Sequence, residues 1–215
     1  MTALDRKLFR DLRRIWVQCL AIALVLGCGV MVLVLAQGAS RSLTQTRDTY
    51  YERNRFAEVF ASATRAPQAL AGQLSQIRGV AAVETRISFN VVLDLPGMAE
   101  PAMARVLSIP ATGAPVLNVP VLRSGRWPDP LRANEVAVSE SFAEANHLRP
   151  GDPLRAILNG TLQELTVTGA MLSPEFIYLI GPGAAMPDDR RYGVIWMGQN
   201  AAAAASDLNG AFNEV

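Results

Sequence analysis

Glu175, Asp188 and Asp189 are carboxylates of the kind that hold a hard cation. The adjacent pair stands in GPGAAMPDDRR, a loop of Pro and Gly where acids more commonly face water and close turns. A solvated turn is therefore the expected role. His147 is the chain's single histidine and cannot build a histidine site alone. It stands at the turn HLRPGD, which points to a surface or capping role. Ser139 lies at the start of a short helical stretch and is expected to cap it rather than act as a nucleophile. Asn159-Gly160-Thr161 fits the glycosylation pattern, but Asn-Gly between two strand-like runs is a hairpin turn first. Catalytic, cofactor-binding and metal-binding residues are each expected to be none, and the protein is not expected to be an enzyme. No Walker loop is present, and the chain's one lysine is Lys7. No HExxH or GxSxG occurs, and Cys19 and Cys28 offer no cysteine–histidine pair outside an apolar run.

Charge is distributed in a way that matters more than its near-zero sum. Residues 1–14 carry a net +3 and residues 41–215 a net −2, while Ile15 to Ser40 carry no charge. Nucleic acid is excluded as a partner, because phosphate binding needs a concentrated basic stripe.

The uncharged stretch contains WVQCLAIALVLGCGVMVLVLA, Trp16 to Ala36. As a helix its 21 residues span roughly 30 Å, the thickness of a bilayer's hydrocarbon. Basic residues precede it, which predicts a cytoplasmic N-terminus and an exterior location after about residue 37. A cleavable signal has a shorter apolar core, although AQGAS supplies small residues for a cut. Val25-Leu26-Gly27-Cys28 resembles a lipobox, but the eight apolar residues after the cysteine are not a polar tether. A retained anchor is the reading that survives. The expected divisions are a basic cytoplasmic segment 1–14, a transmembrane helix 15–37, a helical stalk 38–58 and an outer domain 59–215.

In the outer part, VFASA at 59–63 is a first strand candidate. Pro67 is expected to open a helix through Leu70, Leu74 and Ile77, closed by Gly79. Residues 80–95 read as a strand or bent pair, making a strand–helix–strand unit. Residues 125–171 read as a compact β-rich unit with a strand at Glu135 to Val138, a short helix, and LRAIL and LQELTVTGA joined at Asn159-Gly160. YGVIWM is a further strand. QNAAAAASDLNGAF suggests a final helix with no strand after it, so the chain is expected to be truncated. The fold class is α+β: one N-terminal transmembrane helix, a stalk and a mixed α/β periplasmic core domain.

This layout resembles a known family. RDLRRIWVQCLAIALV, followed by GRWPDPLRANEVAVSESFAEANHLRPGDPLRAIL and GTLQELTVTGA, is similar to permeases of the ABC transporters related to the macrolide exporter, the lipoprotein-releasing complex and the cell-division permease. The matching residues are Gly125, Arg126, Pro128, Glu135, Val136, Ser139, Phe142, Ala143, Leu148, Gly151, Asp152, Leu154, Gly160, Val167 and Gly169. His147 stands where the pattern often has Gly. The resemblance implies a separate ATP-binding subunit, a homo- or heterodimer with another permease, contact with membrane lipid, and a periplasmic partner protein. It implies a bacterial inner-membrane location and a permease fragment serving export, extraction or periplasmic signalling. The alternative is a single-span, membrane-anchored periplasmic binding or adaptor protein.

Overall fold

The computed structural model describes residues 3–98, 100–112 and 114–215. The chain divides into two units, one ending at Tyr50 and the other Tyr51–Val215. Most of the first is a single helix, α1 (Ala3–Arg53). From Arg6 to Arg53 it is long and apolar enough to cross a membrane, and its most apolar stretch is buried by no protein. Leu24, Val25 and Leu26 are each at least 60% exposed. Side chains of that kind, uncovered all round a helix, are matched by lipid rather than by water. No proline interrupts the run from Leu4 to Arg53, so it passes from apolar to polar without a break.

The second unit is built around one large sheet. Its strands are β2 (Ser88–Asp94), β3 (Ala102–Ile109), β4 (Val121–Gly125), β5 (Glu135–Ser139), β6 (Pro153–Leu158), β7 (Thr161–Leu172) and β8 (Tyr192–Gly198). They lie in the order β4-β7-β5-β8-β3-β2-β6, and β6 also pairs with β7. The ladder therefore closes on itself from β7 through β5, β8, β3, β2 and β6. The length of β7 makes this possible. Its first half, Thr161 to Thr166, pairs with β6, and Thr166 to Met171 pairs with β5. Asn159 and Gly160, with φ of 49° and 73°, form the tight β6–β7 turn that the Asn-Gly signal requires. Strand β8 is buried at every residue, as its unbroken apolar run demands of a strand covered on both faces. One face packs Ile195 and Met197 with Val106, Val138 and Phe142 of helix α3 (Glu140–Ala145). The other packs Val194 and Trp196 with Leu107, Ile109 and Met171.

A smaller two-stranded sheet joins β1 (Ser62–Pro67) to β9 (Ala211–Glu214). It revises several expectations. The first strand starts later than residue 59, because pairing with β9 sets its extent. Pro67 ends β1 instead of opening a helix. It is tolerated because β1 pairs only with β9 and is an edge strand. Helix α2 is only Leu70–Leu74, so Ile77 lies beyond it and is exposed. Of residues 80–95 only Ser88–Asp94 form a strand, and β1 and β2 belong to different sheets. Strands of the 125–171 segment are interleaved with β8, β3 and β2 in one sheet. Helix α4 (Gln199–Ser206) stops at Asp207, which takes a left-handed conformation, and a strand does follow it, contrary to expectation.

Candidate functional site

The residues marked by the sequence pattern form a structural staple between β4, β5 and β7. Glu135 is 4% exposed at the start of β5. Arg126 grips its carboxylate with two bonds, Nη1 to Oε2 at 2.6 Å and Nη2 to Oε1 at 2.7 Å. The Asp129 amide donates to Oε2 at 3.0 Å and Arg132 Nη1 to Oε1 at 3.2 Å. Bonding from Arg126, against the opposing effect of burial, holds the Glu135 carboxyl at about 2. Gly125 makes the geometry possible: its φ is +74° and a Cβ there would lie 2.2 Å from the Thr168 carbonyl oxygen. Gly169 is equally confined between the carbonyls of Ser124 and Arg126. Phe142 fills the space above Gly193, where a Cβ would meet its ring. These contacts are architectural, and no reacting group stands among them.

The other singled-out residues are dispersed. Ser139 occupies the N-cap position of α3 but does not cap it. Its Oγ instead accepts a bond from the Val194 amide at 3.2 Å, tying β5 to β8. His147 takes φ of 57° in the turn after α3, a conformation that suits the Gly often found there. Asp152 closes that turn by accepting from the Arg149 amide at 2.7 Å. Asp188 Oδ1 accepts from the amides of Arg190 and Arg191, making it a turn cap. Glu175 is not beside it as a ligand but is paired with Arg86. Among the described residues no group of three or more His, Cys, Asp or Glu is placed to hold a metal.

A cleft forms elsewhere, where the segment leading into β1 meets the end of β9. Its volume is about 270 Å³. One wall is Ala57 to Ala61, the other Val80 and Ala82 to Arg86, with Val215 between them. Val59, Phe60, Ile77 and Val80 stand exposed around it. A third side comes from the loop after β3, through Pro110, Pro115 and Leu117. That loop is fastened on both sides: Glu84 accepts from the amides of Val116 and Leu117, Asn118 Oδ1 accepts from the Ala57 amide, and the amides of Asn118 and Val119 donate to the carbonyls of Arg55 and Asn54.

Beneath the cleft lies a cluster that no local pattern announces. Arg86 donates twice to Glu175, with Nη1 to Oε2 at 2.6 Å, and through Nε to Glu214 at 3.1 Å. Arg105 joins Glu214 to Ser88, and its guanidinium faces the Phe176 ring. Burial disfavours the charge on Arg86, but bonds and attraction from Glu175 and then Glu214 outweigh it and hold its pKa above the ordinary value. Burial likewise pushes Glu214 up, yet Arg86 and Arg105 bring its net position below the usual carboxylate value. Every charge here has a partner of opposite sign. The cleft floor therefore offers neutralised ion pairs under an apolar surround.

Among solved structures, the extracellular domain of the noncanonic ABC-type transporter YknZ from Gram-positive bacteria is similar at 15% identity with a TM-score of 0.46, over 72% of this chain and 78% of that one. No curated protein matches the chain in sequence. The family model of the MacB-like periplasmic core domain matches residues 18–210. That match takes in all but the first two residues of the apolar run and every strand of the large sheet, and ends just before β9, so the chain belongs to the MacB-like periplasmic core domain family, within the ABC transporter permeases.

Proposed function

We propose that this chain is the anchored outer portion of an ABC transporter permease that works with a separate ATP-binding subunit and a second permease copy. The observation that carries the proposal is the family match over 18–210, in a chain whose α1 is long and apolar enough to span a bilayer. The divisions that suit this role are a cytoplasmic segment 1–14, a membrane helix 15–37, a stalk 38–58 and an outer domain 59–215. Basic residues before the apolar stretch orient the N-terminus to the cytoplasm and the domain to the periplasm or exterior. The domain's own part is mechanical and binding rather than catalytic. A helix without a proline break is a stiff connector, and movement imposed on its apolar part is passed along its length. Export, extraction of a membrane component and signalling across the envelope all fit such a lever.

The test is purification of the product from its native membranes in a mild detergent. Retention of an ATP-binding protein, with ATPase activity in the complex, is the expected result. A product that carries no ATP-binding partner under any extraction condition would overturn the coupling.

A further inference from the structure

The last turn of α1 closes on a residue that needs outside support. The Arg55 amide donates to the Glu52 carbonyl at 3.1 Å and the Phe56 amide to the Tyr51 carbonyl at 2.9 Å. Two bonds of this pattern end a helix on a left-handed residue. The Tyr51 and Phe56 rings stack 4.6 Å apart across the turn, the apolar contact that often accompanies it. Glycine usually takes the left-handed position, but here it is Arg55, with φ of 49°. A side chain persists in that conformation where its surroundings hold it.

What holds it is a second left-handed residue, Asn118, with φ of 48°, in the connection from β3 to β4. The Asn118 amide donates to the Arg55 carbonyl at 2.9 Å and the Val119 amide to the Asn54 carbonyl at 3.0 Å. Asn118 Oδ1 accepts from the Ala57 amide at 2.9 Å. One hydrogen bond would leave the turn free to swivel; bonds to Asn54, Arg55 and Ala57 fix its orientation. The connection is fastened again by Glu84, which accepts from the amides of Val116 and Leu117 at 3.0 and 2.6 Å. It leads into strands that lie apart, β3 between β8 and β2, and β4 beside β7 alone. We infer that Asn118 is the positioning residue of a rigid joint, which passes a displacement of the last turn of α1 into the large sheet. A loose turn would absorb that displacement. The inference takes the source of the movement from the lever proposed above, but its test does not involve an ATP-binding subunit.

The experiment is amide hydrogen exchange on the full chain in lipid nanodiscs. Glu52→Gly, an exposed change in the last turn of α1, should loosen that turn about fivefold. Exchange should then quicken about fivefold at Asn118 and Val119, and at least about twofold at Val116 and Leu117. The last two amides are held by Glu84 rather than by the turn, so a local cap would not move them. Asn118→Gly keeps the left-handed backbone and loses the side-chain acceptor, so the response at Val116 and Leu117 should fall by about half or more. Asn118→Asp keeps the acceptor and should retain the response. Unchanged exchange at Val116 and Leu117 after Glu52→Gly would overturn the inference and leave a local helix cap. An equal response in Asn118→Gly would also overturn it. The first comparison needs only Glu52→Gly, so it stands even if an Asn118 variant fails to fold. A chain that retains no ATP-binding partner would leave this result untouched, and failure of the joint would leave that coupling untouched.

Discussion

Two arginine–glutamate clusters hold this domain together, and they bury their charge differently. At the staple, Glu135 is buried while Arg126 and Arg132 have side chains 57% and 65% exposed. Under the cleft, Arg86, Glu175 and Glu214 all have side chains between 11% and 14% exposed. Water can therefore take over part of the work at the staple but little of it beneath the cleft. Removing one member of a buried cluster leaves the others charged and unpaired, which generally costs more than the intact pair contributes. Arg86→Met should accordingly be the most damaging change, lowering stability by about 3–5 kcal/mol. Urea unfolding of the full chain in detergent micelles, followed by the fluorescence of buried Trp196, would measure it. Arg105 still pairs with Glu214 in that variant, so restoring neutrality with Glu175→Gln alone in the same chain should recover part of the loss. Failure to recover any would mean that the side-chain volume of Arg86, rather than its charge, is what matters.

The staple has its own weak point, and it lies in the backbone. Gly125→Ala would place a methyl against the Thr168 carbonyl and force a side chain into positive φ, costing about 3 kcal/mol. Gly160→Ala makes a useful comparison, since its φ is similar but the space around it is open. That change should cost only about 1 kcal/mol, the conformational part alone. Equal losses at the two positions would show that crowding at Gly125 is relieved by a shift of β7.

Acid should separate the staple from the rest in a defined window. The folded Glu135 carboxyl, held at about 2, lies below its ordinary value of 4.5. Its stabilisation is complete above about pH 4.5 and is lost as the pH falls through 2. After screening of the two exposed arginines, it amounts to about 2 kcal/mol. Glu135→Gln should remove that part of the acid dependence, read as the slope of unfolding free energy between pH 4.5 and 2.5. An unchanged slope would move the acid sensitivity to Glu214, whose carboxyl is also held below its usual value.

What could be seen in the sequence follows the same division. Arg126 and Glu135 are nine residues apart, and Gly125, Asn159-Gly160 and the apolar run of β8 each leave a local mark. Family resemblance, the membrane-length helix and the central strands were legible for that reason. Arg86 and Glu214 are 128 residues apart, and neither is remarkable among its neighbours. Their meeting depends on β9, whose first two residues fall in the expected final helix and whose last two are expected to form no strand, because QNAAAAAS has the stronger local preference. Tertiary pairing with β1 overrides that preference. Without β9 in place, neither the cleft nor its charged floor could be assembled from sequence. The wrong assignment of Pro67 has the same origin, since only the pairing partner reveals that β1 is an edge.

The smallest expected effect sharpens the comparison from the opposite side. Arg155 and Asp94 pair across β6 and β2 at 2.9 Å, with side chains 47% and 49% exposed. In distance this pair is comparable to those under the cleft. It differs in the solvent around it, where two charges interact weakly and the entropy of holding both side chains offsets much of the gain. Asp94→Asn should change stability by less than about 0.5 kcal/mol, and that small loss should shrink further in 1 M salt. Arg86→Met, by contrast, should stay destabilising at the same salt concentration, because ions do not screen what they cannot reach. If Asp94→Asn proved as costly as Arg86→Met, burial would not be what distinguishes the clusters. The pairing of β2 with β6, the link that closes the sheet on itself, would then be the feature under strain.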